Sequence, residues 1–343
     1  MGYEDVMEDS FFVQWHITNR CHLRCRHCYQ DDFTEASDLD WNGLEKIATE
    51  LLKAVEGWGK TACIHLTGGE PLLKKELFSL LEYFEEGAAV EELGIITNGL
   101  LLDGEMVGRL TAYRKLRTMK VSLDGAVPET HDAIRLEGSF EKVMRNMEGL
   151  RRENRFETIL MFTVMKSNLR EILPLLRLCE DMGIGGLMIE RFIPIGQGRE
   201  AIDQVLDKED WRFLIEGLSD YFSIEKEGAG LLPYQAFQIR FREGEEPELL
   251  GAPCVVGSEG LCIMPDGTVF PCRRLPIPIG NLLHRPMAAI WEESEVLRLL
   301  RNKSNLKGKC RTCGLSACRG CRSLAFSLAG DYLEEDPHCW YRP

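Results

Sequence analysis

From Phe11 to about Phe222, short apolar runs alternate with amphipathic stretches of helical period, the pattern of repeated strand-helix units that build a parallel sheet. Six runs read as strands: FFVQWHI (11–17), TACIHL (61–66), LGIIT (93–97), TMKVSL (118–123), TILMFTVM (158–165) and GLMIERF (186–192). Between them the spacing predicts helices such as WNGLEKIATELLKAV, with Asp40 as N-cap, and LKKELFSLLEYFEE, which Pro71 opens. Six consecutive units with short connections suggest a partial (β/α)6 barrel of TIM type, although periodicity alone also allows an open doubly wound sheet. In either architecture chemistry belongs at the C-terminal ends of the strands. The polar and cysteine-bearing motifs do follow strands: Cys21, Cys25 and Cys28 the first, TGGEP the second, TNG the third, DG the fourth and PIGQG the sixth.

The repeat stops after about Ser223, and KEGAG and FREGEEPELLGAP read as linker. Eight of the thirteen cysteines fall from Cys254 onward. The expected organisation is therefore a tail over residues 1–10, a core over 11–222, a linker over 223–253 and a small cysteine-rich domain over 254–343.

Composition narrows the function. At 343 residues the chain has room for one α/β domain of roughly 200–250 residues and a smaller module. No apolar run approaches the ~18 residues of a membrane span, and MGYEDVMEDS has neither a signal sequence nor a myristoylation site, so a cytoplasmic protein with no membrane partner is expected. In that reducing compartment thirteen cysteines argue for metal ligation over disulfides. A formal charge of −14 argues against a nucleic-acid partner.

Three thiolates on the short loop Cys21-x3-Cys25-x2-Cys28 can hold three irons of a cubane cluster and leave the fourth open. A zinc site completed by His22 or His27 is the alternative. In LTGGEPLL (66–73) the paired glycines would let a ligand approach the backbone closely.

CxxxCxxC after the first strand with GGEP after the second resembles the radical S-adenosylmethionine (SAM) enzymes, over all six units. The resemblance implies the partial barrel, and a 4Fe-4S cluster whose open iron is chelated by the methionine moiety of SAM. It also implies that Gly68, Gly69 and Glu70 receive the methionine amino group. Thr97, Asn98 and Gly99, with Ser122 and Asp124, would line the ribose and carboxylate. Arg135 would pair with the SAM carboxylate, against the plainer reading of an exposed helix arginine. His27 stands where the family usually has an aromatic residue.

Near the C-terminus PDGTVFPC reads as a hairpin turning at Asp266-Gly267, followed by Cys310-x2-Cys313-x4-Cys318-x2-Cys321 and by Cys339. Two CxxC pairs alone also fit a zinc ribbon. The whole set resembles the SPASM extension of radical SAM enzymes, which houses two auxiliary 4Fe-4S clusters, although two gaps are one residue shorter than usual. The resemblance implies Cys254, Cys262, Cys272 and Cys321 for the first and Cys310, Cys313, Cys318 and Cys339 for the second. With four ligands each, these clusters would serve electron transfer or structure. Cys63 and Cys179 remain as core thiols. From Arg298 to Arg322 there are eight Lys and Arg and no Asp or Glu. This stretch would tune cluster potential, dock an acidic electron donor or simply face water.

The function so implied is reductive cleavage of SAM to a 5'-deoxyadenosyl radical that abstracts hydrogen from a substrate, with electrons from a flavodoxin- or ferredoxin-type donor. A non-catalytic iron-sulfur or zinc scaffold is the rival. Arg273, where sulfatase-maturing relatives have Asp, disfavours formylglycine formation. Ten residues before the first strand are too few for a leader-binding domain. IGNLLHRPMAAIWEESEVLRLLR and GCRSLAFSLAGDYLEEDPHC look like the branch with the pyrroloquinoline quinone peptide cyclase and haem-modifying enzymes. A peptide undergoing modification is placed first as substrate, because peptides are commoner among SPASM proteins, and a tetrapyrrole side chain second.

Overall fold

The computed structural model describes residues 9–224, 236–242, 244–252, 254–315 and 318–341. Six parallel strands, β1 (Ser10–His16), β2 (Thr61–Thr67), β3 (Val90–Thr97), β4 (Leu116–Ser122), β5 (Glu157–Val164) and β6 (Gly186–Arg191), pair in chain order. Helices α1 (Trp41–Gly57), α2 (Leu77–Glu86), α3 (Gly104–Leu110), α4 (Pro128–Ile134), α5 (Ser139–Glu153), α6 (Ile172–Met182) and α7 (Lys208–Tyr221) flank them. This is the partial barrel.

Alternation along each strand builds two environments. Phe11, Val13 and Trp15 of β1 are buried with Ile64, Leu66, Ile95, Val121, Phe162 and Ile189 in one core, which includes Leu44, Ile47 and Leu51 of α1 and Leu80, Leu81 and Phe84 of α2. The opposite face supplies Gln14, His65, Lys120, Met161, Met188 and Glu190 to an interior cavity. Asp40 caps α1 as expected, its side chain accepting from Gly43 N. The segment after Pro71 departs from expectation: Pro71–Leu73 is a 3-10 turn capped by Glu70, and the helix starts only at Leu77. Lys74 intervenes, its ammonium drawn to the Leu39 carbonyl at 2.8 Å.

The stretch expected as linker carries two strands among its described residues. β7 (Ala236–Arg240) runs antiparallel to β6 and β8 (Glu248–Ala252) antiparallel to β7, so they extend the sheet. Phe237 and Ile239 are fully buried, and this one apolar face is what a Gly- and Glu-rich composition concealed. Of the expected tail, residues 1–8 lie outside the described residues, and Ser10 already pairs with Thr61.

On the other edge, β9 (Gly260–Ile263) pairs parallel with β1, followed by the antiparallel β10 (Thr268–Phe270) and β11 (Gly280–Asn281). The result is an eleven-stranded sheet in the order β11-β10-β9-β1-β2-β3-β4-β5-β6-β7-β8. Asp266-Gly267 forms the expected turn, with Gly267 at φ +82°. Helices α8 (Met287–Glu293), α9 (Glu295–Arg301), α10 (Gly308–Thr312) and α11 (Arg322–Ala329) complete the cysteine-rich region. No helix among the described residues is long and apolar enough to cross a membrane.

Candidate active site

The first cysteine loop leaves β1 under tight restraint. Thr18 donates its hydroxyl to Asp38, whose other oxygen accepts from Asn19 N at 2.9 Å. Cys28 N closes a turn on the Cys25 carbonyl at 3.0 Å. The loop after β6 supports it from the far side, Gly198 N donating to the Cys28 carbonyl at 2.8 Å and Gly196 lying against the Tyr29 carbonyl. Cys21, Cys25 and Cys28 all line one cavity. Burial pushes Cys21 up to about 11 and Cys28 to about 12, so metal uptake must displace their protons. His22 is exposed and off this wall, which removes it as a fourth zinc ligand. Among the described residues no three donors converge on a single metal ion.

Gly68 and Gly69 line the same cavity, and their lack of a side chain also serves a contact inside the chain. A Cβ on Gly68 would fall on the Thr18 carbonyl, and one on Gly69 on the carbonyls of Asn19 and Arg20. Gly69 N and Glu70 N donate to Thr18 O and Arg20 O at 2.8 Å each. The strap is thus glycine because it lies against the cysteine loop. Tyr29 also donates its hydroxyl to the Gly68 carbonyl at 3.0 Å.

Glu70, the third residue expected at the methionine group, is fully buried and is not among the residues that line the cavity. One carboxylate oxygen accepts from the Thr97 hydroxyl at 2.8 Å and Leu72 N at 3.1 Å, the other from Asn98 N at 2.9 Å. Burial raises the carboxyl to about 7 despite these bonds. Thr97, Asn98 and Ser122 do line the cavity, and the Asn98 amide nitrogen is buried there without a partner. Gly99 does not; its Cβ position at φ +80° would meet Val121 at 2.7 Å.

Asp124 is likewise off the wall. Its carboxylate accepts from His27 Nε2 at 2.8 Å, Arg135 Nε at 2.6 Å and Thr163 N at 2.9 Å. Burial works against ionisation, but the Arg135 guanidinium and then His27 hold the carboxyl well below the usual range. Arg135 is buried rather than exposed, with Nε on Asp124 and Nη1 3.8 Å from Cys25 Sγ, and it lines the same cavity as the three cysteines. His27 also lines the cavity, and its Nδ1, like the Asn98 amide nitrogen, is buried without a partner.

A second cavity is lined by Cys254, Cys262, Cys272 and Cys321, and shares Met161, Glu190, Arg191, Ile193, Arg273 and Arg274 with the first. A third collects Cys310, Cys313, Cys318 and Cys339. Each set of four expected for one auxiliary cluster thus lines a single cavity. Cys179 is core, as expected, whereas Cys63 reaches the second cavity.

Sequence reasoning missed the ion pairs that close these walls. Glu190 accepts from Arg273 at 2.8 Å and Arg274 at 3.0 Å, and Arg191 from β6 meets Asp336 at 2.9 Å while stacking on Trp211. The signal was the polar residue at alternate strand positions, Gln14, His65, Lys120 and Glu190, which turn a polar face inward.

A model of the radical SAM superfamily matches residues 15–179, and one of the SPASM iron-sulfur cluster-binding domain matches residues 254–314. The AdoMet-dependent heme synthase of Methanosarcina barkeri is 34% identical over 96% of both chains. The mycofactocin maturase MftC of Mycolicibacterium smegmatis is 25% identical over 98% of this chain and 89% of its own. Streptococcus suis SuiB bound to precursor peptide SuiA superposes with a TM-score of 0.73 at 17% identity, covering 97% of this chain and 76% of that one, a likeness of fold. With three thiols and a glycine strap at the mouth of a partial barrel, and an end-to-end relative above 30% identity, the chain belongs to the radical SAM superfamily as an iron-sulfur enzyme with a C-terminal SPASM domain.

Proposed function

We propose that this enzyme removes hydrogen from the side chain of a tetrapyrrole that carries carboxylate groups, using three 4Fe-4S clusters. Bound to the reduced barrel cluster, SAM supplies the 5'-deoxyadenosyl radical that takes the hydrogen atom. Cys21, Cys25 and Cys28 would hold that cluster. Asn98 and His27 line the cavity with unpartnered polar atoms, and Glu70 and Asp124 hold them in place through Asn98 N and His27 Nε2. Each auxiliary cluster would have four cysteines and no open iron, suited to passing electrons from a flavodoxin- or ferredoxin-type donor.

The observation that carries the substrate class is a pair of neighbouring cavities, one lined by Cys21, Cys25 and Cys28 and the other by the Cys254 set, with Arg273 and Arg274 lining both and Lys120 the second. Cations there suit a polycarboxylate. The name of the 34% relative supports the same class. A peptide substrate, placed first from sequence, is the second reading, supported by the 25% identity to a mycofactocin maturase. Anaerobic enzyme with dithionite and SAM should release 5'-deoxyadenosine and lower the mass of iron coproporphyrin III. Stimulation by a peptide extract and not by the porphyrin would overturn the tetrapyrrole class.

A further inference from the structure

We propose that Arg273 anchors a carboxylate of the substrate where the two cavities meet inside the barrel. This rests on the tetrapyrrole reading and narrows it to one contact. Arg273 is 8% exposed and lines both cavities. Of the five N–H groups of a guanidinium, Nη2 donates to Glu190 at 2.8 Å, and Nε is buried with no partner. The group lies 5.2 Å from the Tyr29 ring centroid, which faces the SAM-side cavity.

Charge on the wall is uneven. Arg191 is matched by Asp336. Arg273 and Arg274 share the single carboxylate of Glu190, and Lys120 adds another cation to the same lumen. Arg274 is further committed to the Arg191 carbonyl at 2.9 Å. Arg273 therefore keeps an unsatisfied buried donor on a residue that lines both cavities, and a planar anion with two oxygens matches a guanidinium fork. A substrate carboxylate held there would set its side chain between the barrel cysteines and the Cys254 set, within reach of the hydrogen-abstracting centre and of an electron acceptor.

The probes are iron coproporphyrin III and its tetramethyl ester, titrated by absorbance onto anaerobically reconstituted holoenzyme. Wild type should prefer the acid by about tenfold or more, since the ester has lost the charge. Arg273→Met should abolish that preference by weakening the acid alone, and Arg273→Lys should restore part of it. Iron content and SAM affinity, measured by equilibrium dialysis, should match wild type in both variants. Equal loss of acid and ester, or no loss, overturns the anchor while leaving the tetrapyrrole reading intact. A fall in SAM affinity assigns the guanidinium to the SAM carboxylate and overturns it equally. If wild type binds neither porphyrin, the tetrapyrrole reading itself fails, and this contact with it.

Discussion

Glu70 combines full burial with three hydrogen bonds that tie the end of β2 to the start of the turn after β3. Glu70→Gln keeps an acceptor for Thr97 and Leu72 but turns an NH2 toward Asn98 N–H, and an unsatisfied buried donor costs about 1–3 kcal/mol. The deficit should be largest in acid. Burial lifts the carboxyl from 4.5 to about 7, so the folded state holds the proton more tightly. Its contribution is complete below 4.5 and is lost as pH rises through about 7. Chemical denaturation at pH 5 and pH 8 should show the gap between wild type and variant shrinking at the higher pH; a gap that widens refutes the assignment. The motifs revealed that Glu70 and Asp124 follow strands and that Arg135 belongs to a helix end, but not which way they face. Direction was set by partners distant in sequence, such as His27 for Asp124, and no local pattern encodes a contact across 97 residues.

At the scale of elements, the glycine strap and the cysteine loop are one unit. Gly69→Ala places a methyl against the Asn19 and Arg20 carbonyls, so the loop must shift. Barrel-cluster iron and SAM affinity should then fall together, while iron held by the C-terminal cysteines persists. Full barrel iron with weakened SAM binding would assign the strap the ligand-shelf role expected from sequence and overturn the coupling. The six core strands were legible within about three residues because each carries an apolar outward face of period two. β7 and β8 were not, since glycines and glutamates surround them and only Phe237 and Ile239 are fully buried. The parallel pairing of β9 with β1 was equally hidden, because a four-residue run such as Gly260–Ile263 has no pattern that names its neighbour.

For the whole molecule, β1 is an interior strand only because the C-terminal region covers it: Phe12 to Trp15 pair with Gly260 to Ile263. A chain ending at residue 253 would present β1 as an open, apolar edge and leave Glu190 without Arg273 and Arg274. That fragment should aggregate on expression, and limited proteolysis of the full chain should not release a stable barrel. A monomeric, well-folded fragment would contradict this. The same pairing sets a clock on biosynthesis. At roughly 5–20 residues per second, β9 leaves the ribosome some 12–50 seconds after β1. Throughout that interval the nascent barrel has its first cysteine loop complete but one flank bare, so iron delivery to Cys21, Cys25 and Cys28 can begin before the flank closes, and whatever holds the nascent chain in solution must act on β1.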